Sequence, residues 1–166
     1  LSTSSGRVWM FGDDVNTDLI IPGRYLNSYD PAHLAQHAME GLSPSFAKEV
    51  RPGDIIVAGR NFGCGSSREQ AVVALKAAGV TAVVARSFAR IFYRNAVNLG
   101  LHVLVSQDSC DVFEDGAAVQ LDTETLSVLS ADGSRRASVE RIPTHVSSIL
   151  SAGGLVPHLK KRIRQA

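Results

Sequence analysis

The strongest constraint on the fold is an alternation of apolar runs with helix-forming segments through the middle of the chain. In order, strands and helices are predicted over residues 54–59, 68–78, 80–85, 89–98 and 101–105. Each helical segment is followed by a glycine, Gly79 or Gly100, and glycine commonly ends helices. Because strands that alternate with helices through short links usually pair in parallel, the sequence predicts an α/β fold with a partly parallel sheet.

The flanking segments complete the predicted domain. A strand is predicted over 8–11, and Asp30-Pro31 predicts an N-cap and first helical residue, with the helix running to about residue 39. After residue 105 the pattern predicts antiparallel hairpins and then two short helices, over 117–121, 126–129, 146–152 and 157–164. The sequence has neither an internal repeat nor a linker, so we expect a single domain over residues 1–166.

Charge and composition argue against several classes of function. The net charge is +1, so nothing indicates a nucleic-acid partner. No apolar run approaches the roughly 20 residues of a membrane span, and residues 1–7 lack the apolar core of a secretion signal. We therefore expect a soluble, cytoplasmic protein that binds neither membrane nor nucleic acid.

The chain has few residues that could hold a metal. It contains two cysteines, Cys64 and Cys110, whereas zinc and iron–sulfur sites usually take three or four Cys or His ligands. His33 and His37 stand four residues apart on a predicted helix, but no HExxH pattern surrounds them. The sequence therefore predicts no metal bound by this chain, and a metal that the chemistry needs has to come from another chain.

One glycine-rich turn between a strand and a helix carries the candidate chemistry. It reads Gly63-Cys64-Gly65-Ser66-Ser67-Arg68-Glu69. Unpaired N–H groups at a helix N-terminus bind anions, and an arginine fork such as that of Arg68 suits a carboxylate. Three interpretations compete: a serine that only caps the helix, with Glu69 near the capping-box position; a phosphate loop, whose spacing is not met; and a site for an anionic substrate with one reactive serine.

A serine that acts as a base needs help from outside this turn. An alcohol resembles water, whose pKa is ~15.7, and bringing it near neutrality takes about 8 pKa units, or about 11 kcal/mol. A helix N-terminus contributes only about 0.3–2 kcal/mol. Arg68 and backbone donors in a dry pocket add to this without closing the gap. The shortfall favours an active site shared with a second chain that supplies a metal.

Three separated blocks of the sequence together resemble one known family. The turn at 63–69 is similar to the signature of the aconitase swivelling domain. Residues 14–22 resemble the opening motif of small subunits of 3-isopropylmalate dehydratase and homoaconitase, and residues 87–100 resemble a third block. The blocks follow the expected order within residues 6–155. The resemblance implies the three-layer β/β/α swivelling domain of the aconitase family, with a mixed, partly parallel sheet.

The resemblance also implies roles for individual residues. Ser66 is expected to be the catalytic base, Ser67 to support it, and Arg68 to bind a substrate carboxylate. Asp18 is expected to orient the loop or the arginines, and Cys64 to be a small loop residue. The resemblance further implies a heterodimer in which a large partner subunit carries a [4Fe–4S] cluster.

The expected substrate is a small hydroxy-dicarboxylate. The residues expected to bind it are Gly65, Ser67, Arg68 and Asn27. The segment 25–28 resembles the loop by which relatives choose their substrates, and its third position is the one that differs among them. Arginine at that position is typical of homoaconitases, and an apolar residue is typical of isopropylmalate enzymes. Asn27 matches neither type. It disfavours a tricarboxylate and leaves methyl-substituted malates and maleate open, unless it is an ordinary turn residue.

The reaction that the resemblance implies is a reversible dehydration and rehydration. It would interconvert 2-isopropylmalate and 3-isopropylmalate in leucine biosynthesis, with Ser66 removing the proton next to a carboxylate. One alternative is a related hydratase acting on a homocitrate-type, methylmalate or maleate substrate. Another is a non-catalytic module that captures small carboxylates.

Overall fold

The computed structural model of the chain describes residues 3–166. Residues 1 and 2 lie outside this range. They belong to the predicted domain 1–166 and to the segment 1–7, which is expected to lack a secretion signal. The strands are β1 (Thr3–Met10), β2 (Ile55–Ala58), β3 (Ala82–Ala85), β4 (His102–Val105), β5 (Ala118–Asp122), β6 (Ser127–Ser130) and β7 (Arg136–Ala137). The helices are α1 (Thr17–Ile20), a 3-10 turn at Gly23–Tyr25, α2 (Pro31–Ala35), α3 (Phe46–Glu49), α4 (Glu69–Ala78), α5 (Arg90–Asn98), α6 (Ser109–Val112), α7 (Thr144–Ser151) and α8 (Leu155–Gln165).

The strands form one mixed sheet in the order β4-β3-β2-β1-β5-β6-β7. The sheet has a parallel half and an antiparallel half, and β1 belongs to both. Its residues 8–10 pair in parallel with β2, starting from Val8 opposite Ile55, and its residues 3–7 pair antiparallel with β5. β2, β3 and β4 continue the parallel half, whereas β5, β6 and β7 continue the antiparallel half. The predicted mixed pairing is therefore confirmed.

The core is divided into two clusters because alternate residues of a strand point to opposite faces. On one face Ile56 and Val83 pack with helix residues such as Leu75 and Phe92. On the other face neighbouring strand residues pack against the antiparallel half, through Ile55, Val57, Val84, Leu104, Val119, Leu121 and Val128. The antiparallel strands therefore cover the face that the helices leave free. This arrangement gives the β/β/α layers that the family resemblance implies.

Most element boundaries in the α/β region agree with the sequence patterns. β2 and α4 lie where predicted, and Gly79 closes α4 in the left-handed conformation, with φ 112°. The predicted cap at Asp30 is also confirmed, since its side chain accepts a hydrogen bond from the Ala32 N–H. Local signals sufficed here because each element ends at its own cap or glycine.

Three boundaries differ from the predictions. β1 begins at Thr3 rather than near residue 8, since its first residues pair with β5 far along the chain. α2 ends at Ala35 rather than near residue 39, because the chain turns so that Met39 is fully buried and donates to the Ile20 carbonyl at 2.7 Å. α1, for which the sequence patterns predict no helix, begins at Thr17 with Asn16 as its cap.

Between Thr3 and Ala166, every helix is too short or too polar to cross a lipid bilayer.

Candidate active site

The loops that follow β1 and β2 are joined by backbone hydrogen bonds at the carboxyl end of the parallel strands. The Gly63 N–H donates to the Val15 carbonyl at 2.7 Å, and the Thr17 N–H donates to the Cys64 carbonyl at 3.0 Å. The buried Thr17 hydroxyl adds a bond to the Ser66 carbonyl at 3.1 Å. The glycine-rich turn is thus fixed to the start of α1.

Two glycines of this turn are required by its geometry. Gly63 has φ 82°, and a Cβ atom there would lie 2.2 Å from a ring carbon of Phe92. Gly65 has φ 86°, which side chains disfavour, although a Cβ atom would meet only ordinary contacts near Asn16. Between them, Cys64 contributes its backbone to the bridge with Asn16. The turn therefore keeps its shape through main-chain conformation.

The capping-serine interpretation of this turn is wrong. The N-cap of α4 is Arg68, in an extended conformation and without a side-chain capping bond, and Glu69 is the first helical residue. The two serines lie before the cap, where a tight turn brings the Ser67 N–H to the Gly65 carbonyl at 2.9 Å. Neither serine is therefore used to begin the helix.

The turn faces a cavity of about 320 Å³. The cavity is lined by Thr17, Asp18, Ile21, Gly23, Leu26, Ser66, Arg68 and Ala71. Asp18, Ser66 and Arg68 are exposed, and their side chains form no hydrogen bond or ion pair with any other residue between 3 and 166. Two charges of opposite sign and a hydroxyl thus stand unpaired around one small space, available to a ligand.

Larger clefts elsewhere contain none of the predicted site residues. One of about 390 Å³ lies beside Phe113 and Arg135, and another of about 440 Å³ lies beside Arg90 and Arg94. We locate the candidate site in the smaller cavity because unpaired polar side chains converge there. Size alone does not identify a binding site, whereas a few convergent polar groups do.

Three other predicted site residues lie outside the lining of this cavity. Ser67 is half-buried, and its hydroxyl oxygen is buried without a hydrogen-bond partner among the described residues. Gly65 is exposed and shapes the turn, as described above. Asn27 is exposed and follows Leu26, which does line the cavity. The structure thus brings Asp18, Ser66 and Arg68 together and leaves Asn27 outside the lining, next to Leu26 in the chain.

Sequence reasoning missed two polar residues that hold the site together. Thr17 ties α1 to the turn, as its bond to Ser66 shows. Gln70 is 3% exposed and donates from Nε2 to the Leu26 carbonyl at 3.1 Å, so it joins α4 to the segment beside Asn27. The sequence places the amide of Gln70 on an otherwise apolar helix face. Because buried polar groups are normally hydrogen-bonded, this position indicates that Gln70 has a partner but does not identify it.

The described residues do not fit the ligand set of an iron–sulfur cluster or another metal. Within residues 3–166, no three His, Cys, Asp or Glu side chains converge on one point. His33 and His37 instead pack as rings against Tyr25. The cluster expected on a partner chain stays a prediction.

Comparisons with known proteins agree with the fold and the turn. The family model described as the aconitase C-terminal domain matches residues 14–108. The 3-isopropylmalate dehydratase small subunit 1 of Methanopyrus kandleri is 54% identical over 94% of this chain and 92% of its own length. The methanogen homoaconitase small subunit of Methanothermobacter thermautotrophicus is 54% identical over 95% of this chain and 91% of its own.

A solved structure has the same architecture. The crystal structure of 3-isopropylmalate dehydratase from Methanocaldococcus jannaschii superposes with a TM-score of 0.90 and 49% identity, covering 96% of this chain and 95% of that one. A mixed sheet with a glycine-rich serine turn at the end of its parallel strands defines an aconitase-type swivelling domain. The chain belongs to the aconitase C-terminal domain family.

Proposed function

We propose that the chain is the small subunit of a two-subunit hydro-lyase that interconverts 2-isopropylmalate and 3-isopropylmalate. The observation that carries the proposal is the cavity in which the side chains of Ser66, Arg68 and Asp18 have no partners among residues 3–166. Near full-length similarity to proteins named 3-isopropylmalate dehydratase small subunit supports the choice of reaction.

Each unpaired group has a role in the proposed reaction. Arg68 binds a substrate carboxylate through its guanidinium fork, which matches a carboxylate in two hydrogen bonds. The Ser66 Oγ takes the proton from the carbon beside that carboxylate. Asp18 orients the bound substrate or Arg68 across the cavity. Gly65 leaves the backbone open to close approach, and Ser67, whose buried hydroxyl has no partner among the described residues, supports Ser66.

The part of the chain that the structure describes does not supply enough stabilisation to make Ser66 basic. Its helix begins at Glu69, three residues beyond Ser66, so the helix N-terminus contributes toward the low end of about 0.3–2 kcal/mol. Ser66 is also exposed to water, which weakens every electrostatic interaction at the site. A large subunit that covers the cavity would exclude water and bring positive charge, and we propose that it also carries the [4Fe–4S] cluster.

The apolar part of the cavity favours a branched aliphatic substituent. Ile21, Leu26 and Ala71 line it together with the polar groups. An isopropyl group buried against such side chains gains roughly 0.8 kcal/mol per methylene-sized group. Asn27, next to Leu26 in the chain, offers no positive charge for a distal carboxylate. These features favour isopropylmalate over a tricarboxylate.

A homocitrate-type substrate is the second candidate, because a homoaconitase small subunit is as similar in sequence as the isopropylmalate relative. The test is to combine the purified chain with its large subunit and measure turnover of 2-isopropylmalate, homocitrate, 2-methylmalate and maleate. We expect 2-isopropylmalate to have the highest kcat/KM. A higher value for another substrate replaces the assignment, and carboxylate binding without any turnover favours a non-catalytic module.

The same preparation tests the shared site. The chain alone should show neither hydratase activity nor iron–sulfur absorbance. Either signal from the isolated chain would contradict the two-subunit proposal.

A further inference from the structure

The carboxylate of Glu40 binds three side chains at once. Its Oε1 accepts hydrogen bonds from the Arg24 guanidinium and, at 3.0 Å, from the Tyr25 hydroxyl. Its Oε2 lies 2.7 Å from Nδ1 of His37. Burial raises the pKa of Glu40, but the bonds from His37 and Tyr25 and the charges of His37 and Arg24 outweigh it and lower that pKa. The ionised form is therefore the one that this cluster holds.

Tyr25 is fixed on its ring as well as at its hydroxyl. The ring stacks on His37, with centroids 3.7 Å apart and planes within 8° of parallel. His33 packs against it in a T-shaped arrangement with ring centroids 5.9 Å apart, and the Arg24 guanidinium lies 4.7 Å from its centroid. Since tyrosine has only two side-chain torsions, these contacts leave it little freedom.

Tyr25 stands directly before the edge of the candidate active site. It ends the 3-10 turn Gly23–Tyr25. Gly23, two residues before it, and Leu26, directly after it, both line the Ser66 cavity. On the opposite side, the Leu26 carbonyl is bound by Gln70 of α4. The segment 23–27 is thus held by Glu40 at one point and by the helix that follows Arg68 at another.

We infer that Glu40 is a positioning residue for substrate selection: by holding Tyr25 it fixes Leu26 in the lining of the Ser66 cavity and Asn27 directly after it. Glu40 itself lies outside the cavity lining and acts through Tyr25. The inference rests on the proposed function, since it concerns how the hydro-lyase site chooses among hydroxy-dicarboxylates. Loosening the segment should weaken contacts with the alkyl group and leave proton transfer at Ser66 intact.

The test uses the complex with the large subunit and compares Glu40→Ala, Glu40→Gln and Tyr25→Phe. Tyr25→Phe removes only the hydroxyl that reaches Glu40. We expect the KM for 2-isopropylmalate to rise roughly 3- to 10-fold in Glu40→Ala and Tyr25→Phe, the range that the loss of one ordinary hydrogen bond allows. The kcat should stay within about twofold, and Glu40→Gln, which keeps an acceptor oxygen, should recover part of the loss.

Selectivity gives a readout that a merely structural role would not move. The ratio of kcat/KM for 2-isopropylmalate over 2-methylmalate should fall by a similar factor, because the lost contacts are those to the larger alkyl group. The matched controls are Glu124→Ala and Tyr29→Phe, two exposed side chains placed outside the site, and both should behave as wild type.

Three outcomes would overturn the inference. Variants at Glu40 and Tyr25 with the kinetics of the controls would remove the positioning role. A fall in kcat with an unchanged KM and selectivity ratio would show a structural effect only. A wild-type complex that turns over none of the hydroxy-dicarboxylates would refute the proposed function itself, and this inference with it.

Discussion

The polar side chains at the two ends of the parallel strands differ in burial and in hydrogen-bond pairing. At the amino end, the side chain of Asp54 is 4% exposed and accepts hydrogen bonds from the backbones of Arg7 and Arg51 and from the Trp9 indole. At the carboxyl end, Ser66 and Arg68 are exposed and have no partner for their side chains among residues 3–166. Paired and buried polar groups stabilise a fold, whereas unpaired ones are available for binding and catalysis.

The difference also shows how the carboxyl end keeps its shape. Its turn depends on main-chain bonds to Val15 and Thr17 and on glycine conformations, so the side chains of Ser66 and Arg68 are not needed for folding. At the amino end, by contrast, the side chain of Asp54 itself accepts the hydrogen bonds that hold the neighbouring segments together. Substitutions at the two ends should therefore separate activity from stability.

The largest expected effect is that of Ser66→Ala on turnover. Removal of a general base lowers kcat by about 100- to 10,000-fold, and the complex with the large subunit should show this loss with little change in KM. The unfolding free energy should stay within about 0.5 kcal/mol of wild type because the side chain is exposed and unpaired. Steady-state kinetics and denaturant unfolding measure the two quantities.

Ser147→Ala is the matched control for this experiment, since Ser147 is exposed on α7 and lies outside the cavity. A Ser66→Ala variant that retains a normal kcat would remove Ser66 from its proposed role.

Asp54→Ala should have the reverse signature. It leaves three donors without their acceptor in a buried place, and we expect a loss of about 3 kcal/mol in unfolding free energy. The KM and kcat of the folded fraction should remain close to wild type, because Asp54 is at the far end of the strands. Glu114→Ala, at an exposed position, is the control. Equal unfolding free energies of Asp54→Ala and Glu114→Ala would contradict the proposed difference between the two ends of the strands.

Arg68→Lys should raise the KM for 2-isopropylmalate about tenfold, since lysine keeps the charge but loses the two-point fork. Arg60→Lys is a matched control, because Arg60 is also exposed and near the carboxyl end but outside the cavity lining. The KM of each variant complex measures the effect. An unchanged KM in Arg68→Lys would contradict the carboxylate-binding role.

The smallest expected effect is on the acid dependence of stability. Burial raises the pKa of Asp54, but the bonds from Trp9, Arg7 and Arg51 and the Arg7 charge outweigh it, so its pKa is lowered from 3.8. A lowered pKa contributes stability above the unfolded value, and that contribution is lost as pH falls below about 4 toward the folded pKa. Asp54→Asn should flatten this part of a plot of unfolding free energy against pH, and an unchanged slope would contradict the assignment.

The sequence predicted those parts of the molecule that depend on local signals. The buried run of β2, the glycine stop at Gly79 and the cap at Asp30 each lie within a few residues of the element that they define. The turn at 63–69 was identifiable for the same reason. The roles assigned to the site residues all remain predictions: Ser66 as the base, Asp18 as an orienting group, and Gly65, Ser67, Arg68 and Asn27 in substrate binding.

What the sequence could not provide depends on contacts between distant segments. The end of α2 is decided by burial of Met39 and by its backbone bond to Ile20 at the end of α1. The failure of the serines to cap α4 follows from the tight turn at Ser67. The bond from Gln70 to Leu26 spans 44 residues, and no local pattern indicates it.

The most direct measurement is amide hydrogen exchange of the chain alone and in complex with its large subunit. If a second polypeptide completes the unpaired groups around Ser66 and Arg68, exchange should slow at residues 16–26 and 63–71. The amides of Arg7 and Arg51, which already donate to Asp54, should keep their exchange rates. Unchanged exchange at residues 63–71 on complex formation would contradict a shared active site.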